Sequence, residues 1–344
     1  MWPLAGHDRI VTYLKRSLEK GVLSHAYLFT GPQGVGKMTA ALFLAQAVNC
    51  PAADKPCCEC PSCLKIAVRN HPDIQVLKLL TADETEDKKA KSEIVIEQVR
   101  DLQHWACLPP YEGRCRVFIF EQAELMNEAA ANCLLKTLEE PLPNVLLILL
   151  APSLGVVPET IISRCQHLAF RPVKTEIIEG LLLDRGVSTE QANLLAHLAG
   201  GAPGWALTAL ENDEVLTQRK ERLELLLGLI GCGYEERFEA AEELAGKGAS
   251  GRNDATGLIR DWQGLWRDLL LIKAGGAEGV INRDYQDRIT ATCDKLDINN
   301  IRSFLSDLTK AEKLVDYNVN TRLILETLML DMPLVDKAKP KRVI

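Results

Sequence analysis

Apolar positions in the first half of the chain fall into two alternating patterns. Ile10, Val11, Leu14 and Leu18 recur at helical spacing and predict an amphipathic helix over residues 8–20. "HAYLFT" (25–30) is a short unbroken apolar run, which reads as a strand buried on both faces. "KMTAALFLAQAVN" (37–49) returns to a helix rich in Ala and Leu. The alternation continues with strand candidates at 73–79 ("DIQVLKL"), 115–120 ("CRVFIF"), 144–151 ("NVLLILLA") and 166–170 ("QHLAF"). Helices are predicted over 94–108 and over 126–140, the latter stopped by Pro141 and Pro143. Short apolar strands separated by helices predict an α/β domain with a parallel sheet flanked by helices.

The pattern changes after Pro172. Residues 173–208 read as a small helical lid domain ending in "GGAPG", and 209–334 as an all-α domain. The remaining plan is residues 1–172 as the α/β domain and 335–344 as a basic tail. "TADETEDKKAKSE" (81–93) carries enough charge to predict a solvated loop.

Composition narrows the possibilities. A chain of 344 residues with 47% hydrophobic and 25% charged content is globular and too long for one ordinary core. Aromatics make up 5%, too few for an aromatic stacking platform on single strands. A net charge of −7 argues against the whole chain being a polyanion binder, so contact with DNA would be local or made by partners. No N-terminal leader pattern is visible, and no apolar run reaches the ~20 residues of a spanning helix. The expectation is a cytoplasmic protein with no membrane partner, whose 11 Cys are thiols or metal ligands.

Cys50, Cys57, Cys60 and Cys63 give C-x6-C-x2-C-x2-C within an insert at 50–63. That spacing suits four thiolates around a structural Zn2+; free thiols or a redox pair are the other reading. Cys58 is a fifth candidate that could replace a neighbour. The other cysteines (107, 115, 133, 165, 232 and 293) lie in apolar segments and are expected in the core.

"GPQGVGKMT" (31–39) is nearly a phosphate-binding loop. Gly31, Gly34, Gly36 and Lys37 can cradle phosphates at the start of a helix. Met38, however, stands where the Mg2+-binding hydroxyl belongs. Thr39 comes one residue later, about 100° further round the helix. In "VFIFEQAEL" (117–125), Glu121 takes the place of the metal-linked acid and Gln122 that of a catalytic Glu. Gln cannot act as a general base. Glu124 reads as a charge at a helix start. Any ATP or ADP binding is therefore expected to be weak or absent.

Taken in order, "GHDRIVTYLKRSLEKGVLSHAYLFTGPQGVGK", "CCECPSC", "NHPDI", "AELMNEAAANCLLKTLEEP" and "TIISRCQHLAF" resemble the clamp-loader branch of the AAA+ ATPases, over residues 5–170. The resemblance implies an AAA+ domain, a lid and a helical collar. It also implies a place as stator in a hetero-pentamer of the DNA polymerase III holoenzyme, with gamma/tau motor subunits and a delta subunit. Such a ring loads a sliding clamp on primed DNA. The family's zinc module falls on Cys50, Cys57, Cys60 and Cys63, and its Ser-Arg-Cys motif on Ser163, Arg164 and Cys165. Arg164 would then be an arginine finger for a neighbour's ATP; in GTPases such a finger is worth ~10³–10⁵ in rate. Judged on its own, Arg164 reads as half of a surface ion pair. "GGAPGWAL" (200–207) lacks the phosphate-sensing Arg of active relatives. The rival readings are an active gamma/tau-like motor ATPase and another AAA+-like scaffold, such as a recombination or helicase-loading factor. Nothing in the sequence supplies the paired acids of a polymerase.

Overall fold

The computed structural model describes residues 2, 4–79, 93–245, 248–316 and 319–334. The charged stretch at 81–93, apart from Glu93, and the basic tail at 335–344 lie outside the described residues. So does the α/β domain's first residue.

Five parallel strands form one sheet in the order β2-β3-β4-β1-β5: β1 (Ala26–Thr30), β2 (Ile74–Leu77), β3 (Arg116–Phe120), β4 (Val145–Ala151) and β5 (Gln166–Ala169). Leu28 pairs with Leu149 and Phe118 with Leu147. The central strands β1 and β3 are buried along their whole length, which is why they read as unbroken apolar runs. β5 is an edge strand, and its ends are exposed.

The helices are α1 (Asp8–Glu19), α2 (Lys37–Asn49), α3 (Pro61–Ala67), α4 (Ile96–Ala106), α5 (Glu128–Glu139) and α6 (Glu159–Ile162). They are followed by α7 (Thr175–Leu183), α8 (Thr189–Leu198) and α9 (Pro203–Glu211). One core joins Leu28, Phe118, Phe120, Leu147 and Leu149 of the sheet to Val99 and Leu102 of α4 and Leu134 and Leu138 of α5. Strand residues two apart share a face, so alternate side chains reach this core. Ala40, Ala41, Leu44, Ala45 and Ala47 of α2 are buried too, and small side chains keep that helix close to its neighbours.

Helix ends follow local chemistry. Asn127 caps α5 by accepting the Ala130 N–H at 2.9 Å, and the chain leaves α5 at Glu140, just before Pro141. α4 starts at Ile96, two residues later than the periodicity suggests. Ile94 instead gives its N–H to Leu125 O at 2.7 Å and accepts the Asn127 N–H at 3.1 Å. That bridge holds Ile94 extended, and Gln98 then caps the Val95 N–H.

The chain divides into two compact units: Met1–Ala192 with Ala199–Ala206, and Asn193–Leu198 with Leu207–Ile344. The second unit contains α10 (Asp213–Ile230), α11 (Tyr234–Leu244), α12 (Gly248–Lys273), α13 (Gln286–Cys293), α14 (Ile298–Asp316) and α15 (Thr321–Asp331). Trp262, Trp266 and Phe304 fill its core, with the Trp266 and Phe304 rings 4.5 Å apart. Arg237 is fully buried there. It donates to the carbonyls of Leu229 and Ile230 at the end of α10, and to those of Met329, Met332 and Pro333 around the end of α15. A cation suits the electronegative C-terminal end of a helix, and this one serves two.

No helix among the described residues is long and apolar enough to cross a membrane.

Candidate functional site

The insert folds as the spacing requires. Pro61 sits at the first helical position of α3 and Cys60 caps it, so Cys60 and Cys63 end one turn apart. The Sγ atoms of Cys50, Cys57, Cys60 and Cys63 lie within 4.8 Å of one another. Tetrahedral thiolates about 2.3 Å from zinc would stand about 3.8 Å apart, so the set needs to contract by no more than ~1 Å. Backbone N–H groups already point at three of the sulfurs: Cys57 N–H at Cys50 Sγ (3.4 Å), Cys60 N–H at Cys57 Sγ (3.3 Å) and Cys63 N–H at Cys60 Sγ (3.4 Å). The N–H groups of Glu59 and Cys60 hold the Cys57 thiol down to about 6, whereas burial pushes Cys60 and Cys63 up. Four sulfurs this close cannot all ionise without a cation among them. Cys58 turns away: its φ is 63° and its thiol faces Pro56 O at 3.9 Å.

The expectation that the other cysteines are core residues needs correction. Cys293 is buried and the half-buried Cys133 and Cys165 pack against the sheet core, but Cys107 is exposed, and Cys115 and Cys232 are only half-buried. Cys107 is the C-cap residue of α4, past the last buried position of that helix, Ala106.

The glycine loop follows β1 and leads into α2. Gly31 has φ 149°, and a Cβ there would collide with the Phe170 carbonyl. No side chain caps α2 at Gly36, which leaves its N-terminus suited to an anion. Lys37 folds back onto the loop, donating to Gly31 O and to Pro32 O at 3.0 Å. Gly34 O accepts the Gly204 N–H at 2.8 Å, so the start of α9 is clipped to the loop. A Cβ on Gly34 would meet Ala202 and Trp205 at 3.2 and 3.3 Å. At the start of α2 Met38 is half-buried and Thr39 is exposed. Glu121 and Gln122 leave β3 at the same end of the sheet as the loop, separated from it by β4, and both are half-buried. Glu124 lies in a short 3-10 turn, Ala123–Leu125.

Ser163 and Arg164 follow the single turn of α6. Arg164 Nη1 donates to Thr160 O at 3.0 Å and to Ser163 Oγ at 3.2 Å. Its Nη2 forms an ion pair with Glu139 Oε1 at 2.6 Å. The guanidinium is thus half of an ion pair near the surface, with 35% of its side chain exposed.

A buried network behind the cysteine cluster escaped the sequence reading. Asp73 accepts the N–H groups of Tyr111 (2.6 Å), Glu112 (2.9 Å) and Gly113 (2.7 Å), with Arg116 Nη2 3.8 Å away. Asn49 Oδ1 takes the next two N–H groups, of Arg114 and Cys115. Burial alone would raise the Asp73 carboxyl, but the three N–H groups and Arg116 outweigh it and hold the group below its usual value. Burial lowers His71, keeping it neutral. His71 Nδ1 accepts the Asp73 N–H, so Nε2 carries the proton and donates to Ser62 Oγ at 3.1 Å. The "NHPDI" stretch therefore ties α3 to the segment leading into β3. "NHPDI" was the available signal, but spacing alone does not say what its Asp binds.

A parallel sheet in the order β2-β3-β4-β1-β5, with a glycine loop between its β1 strand and the following helix, defines an AAA+-type α/β domain. A family described as DNA polymerase III, delta subunit, matches residues 6–174. The DNA polymerase III subunit delta' of Bacillus subtilis (strain 168) is 32% identical over 323 residues, 94% of each chain. The tau subunit from the same organism is 30% identical over 306 residues, covering 81% of this chain and 52% of tau. Among solved structures, a DNA polymerase III gamma subunit-related protein from Thermotoga maritima aligns over 93% of this chain and 97% of its own, with 15% identity and a TM-score of 0.39. The chain belongs to the DNA polymerase III delta-prime family.

Proposed function

We propose that the chain is the stator of a clamp loader and acts on a neighbour's nucleotide rather than its own. The observation that carries this is the contrast between two sites. Arg164 is presented at the surface beyond α6. The chain's own loop has Met38 in place of the metal-binding hydroxyl, and its Lys37 is folded onto Gly31 and Pro32. In this reading Arg164, supported by Ser163, stabilises transition-state charge on ATP held by an adjacent gamma/tau motor subunit. The other partners are a delta subunit, the sliding clamp and primed DNA, the last reached through the assembly.

Residues 1–172, 173–208 and 209–334 serve as AAA+ domain, lid and collar. The collar carries assembly through its apolar helix faces. Cys50, Cys57, Cys60 and Cys63 hold a structural Zn2+; four thiolates leave it no open position for catalysis, and its role is to cross-link the insert. The second reading, an active motor, is favoured by retention of Gly31, Gly34, Gly36 and Lys37.

Turnover of ATP by the reconstituted ring, with clamp and primed DNA, separates the two. Arg164→Ala should lower stimulated turnover at least tenfold at the neighbouring site, with the ring still assembled by gel filtration. Lys37→Ala should leave turnover unchanged. Unchanged stimulation with Arg164→Ala would sink the finger assignment, and damage by Lys37→Ala would make the chain a motor.

A further inference from the structure

The ion pair between Glu139 and Arg164 has an unusual location. Glu139 is the last residue of α5, where the helix dipole disfavours a carboxylate. Its side chain is half exposed, so the position does not serve packing. What it gains is the Arg164 guanidinium at 2.6 Å. The contacts divide the guanidinium's donors unequally. Both Nη1 hydrogens are committed locally, to Thr160 O and Ser163 Oγ, and Ser163 Oγ itself donates to Thr160 O at 3.2 Å. Nη2 faces Glu139. An arginine has five donors in a rigid planar fork, so fixing one end fixes the direction of the rest.

α6 is only one turn long and cannot hold a long side chain by itself. The contacts to Thr160 and Ser163 are internal to that turn and its C-cap. Glu139 is the contact that ties the guanidinium to another element, the end of α5. We propose that Glu139 is a positioning residue for Arg164. It holds the guanidinium in one orientation beside the end of α5, with part of the side chain exposed, so that a phosphoryl group presented by a neighbouring subunit meets a preformed set of donors. Pre-set geometry of this kind lowers the ordering cost when the ligand arrives. The inference rests on the finger reading of Arg164.

The test uses reconstituted rings carrying Glu139→Ala, Glu139→Gln, Arg164→Ala or the double substitution, with clamp and primed DNA. An exposed pair of this kind is worth at most ~1 kcal/mol, so Glu139→Ala should lower stimulated turnover by about two- to fivefold. Glu139→Gln, which keeps an acceptor but not the charge, should fall between. In the Arg164→Ala background Glu139→Ala should have no further effect, an outcome that general loosening of α5 would not give. In the isolated full-length chain, phenylglyoxal should modify Arg164 faster when Glu139 is replaced by Ala, as read by peptide mass spectrometry. If Arg164→Ala impairs the ring and Glu139→Ala does not, the positioning role is wrong while the finger stands. The positioning role also fails if the two losses multiply, or if the modification rate does not change. If Arg164→Ala itself is silent, the finger reading fails and the positioning role falls with it.

Discussion

Replacing Asp73 with Asn is the sharpest test of what holds residues 111–113 against the start of β2. The substitution is nearly isosteric, so its effect comes from hydrogen bonding and charge. In the native chain one carboxylate oxygen accepts the Tyr111 N–H and the other accepts those of Glu112 and Gly113. Asn offers one acceptor oxygen, and its NH2 group must face at least one of those three donors. Arg116, only 8% exposed, would also lose the acid beside it. Breaking one member of a buried charged set costs about 3–5 kcal/mol. The matching readout is amide exchange at residues 111–113, because these are the donors concerned. Since 1.4 kcal/mol is a factor of ten, exchange should speed up by roughly two to four orders of magnitude at pH 7. The pH dependence has a definite sign. The folded Asp73 carboxyl lies below its usual value of 3.8. Its contribution is therefore fully present above pH 4 or so, and is lost as the pH falls through the folded value. Wild type and Asp73→Asn should converge as the pH drops below 4. Exchange in the variant within threefold of wild type at pH 7 would refute this account of the network.

Three further outcomes are expected. Purified chain should contain one zinc, measured by elemental analysis, and Cys57→Ser should lower the content and expose the remaining cluster thiols to alkylation; a metal-free wild type with full stability would end the zinc assignment. Arg237→Met should destabilise the helical unit by about 2–4 kcal/mol in urea unfolding, because five carbonyls lose a charged donor. A loss under about 1 kcal/mol would show that those carbonyls find other partners. Trimming the chain before residue 209 should abolish joining of the ring, and tight joining by the truncated chain would place assembly elsewhere.

What could be read from the sequence divides by distance along the chain. The β1 and β3 runs, the glycine loop and the four cysteines are local patterns, and the structure places each where its pattern implies. The cysteines are legible because Cys-x2-Cys turns need only a few residues to converge. Asp73 binds amides 38 to 40 residues ahead of it, and no local signal marks that pairing. Glu139 is unremarkable in the sequence for the same reason: its partner becomes visible only when the end of α5 meets α6. Periodicity starts α4 too early because Ile94 is taken by a backbone bridge to Leu125 and Asn127, a tertiary contact that overrides helical spacing. The apolar neighbours of Cys107 suggest a core position, but it is the C-cap residue of α4, past the last buried position of that helix, and is exposed.

Arg237 has a consequence for how the helical unit is made. Its guanidinium joins the end of α10 to carbonyls that lie 92, 95 and 96 residues beyond Arg237 itself. At ~5–20 residues per second, a ribosome needs about 5–20 s to cover that interval. Throughout it α11 is complete while Arg237 lacks its later acceptors, so the charge has reason to stay in water and the helix to stay undocked. The same arginine that locks the finished unit thus gains its full set of acceptors only once α15 and Pro333 have emerged.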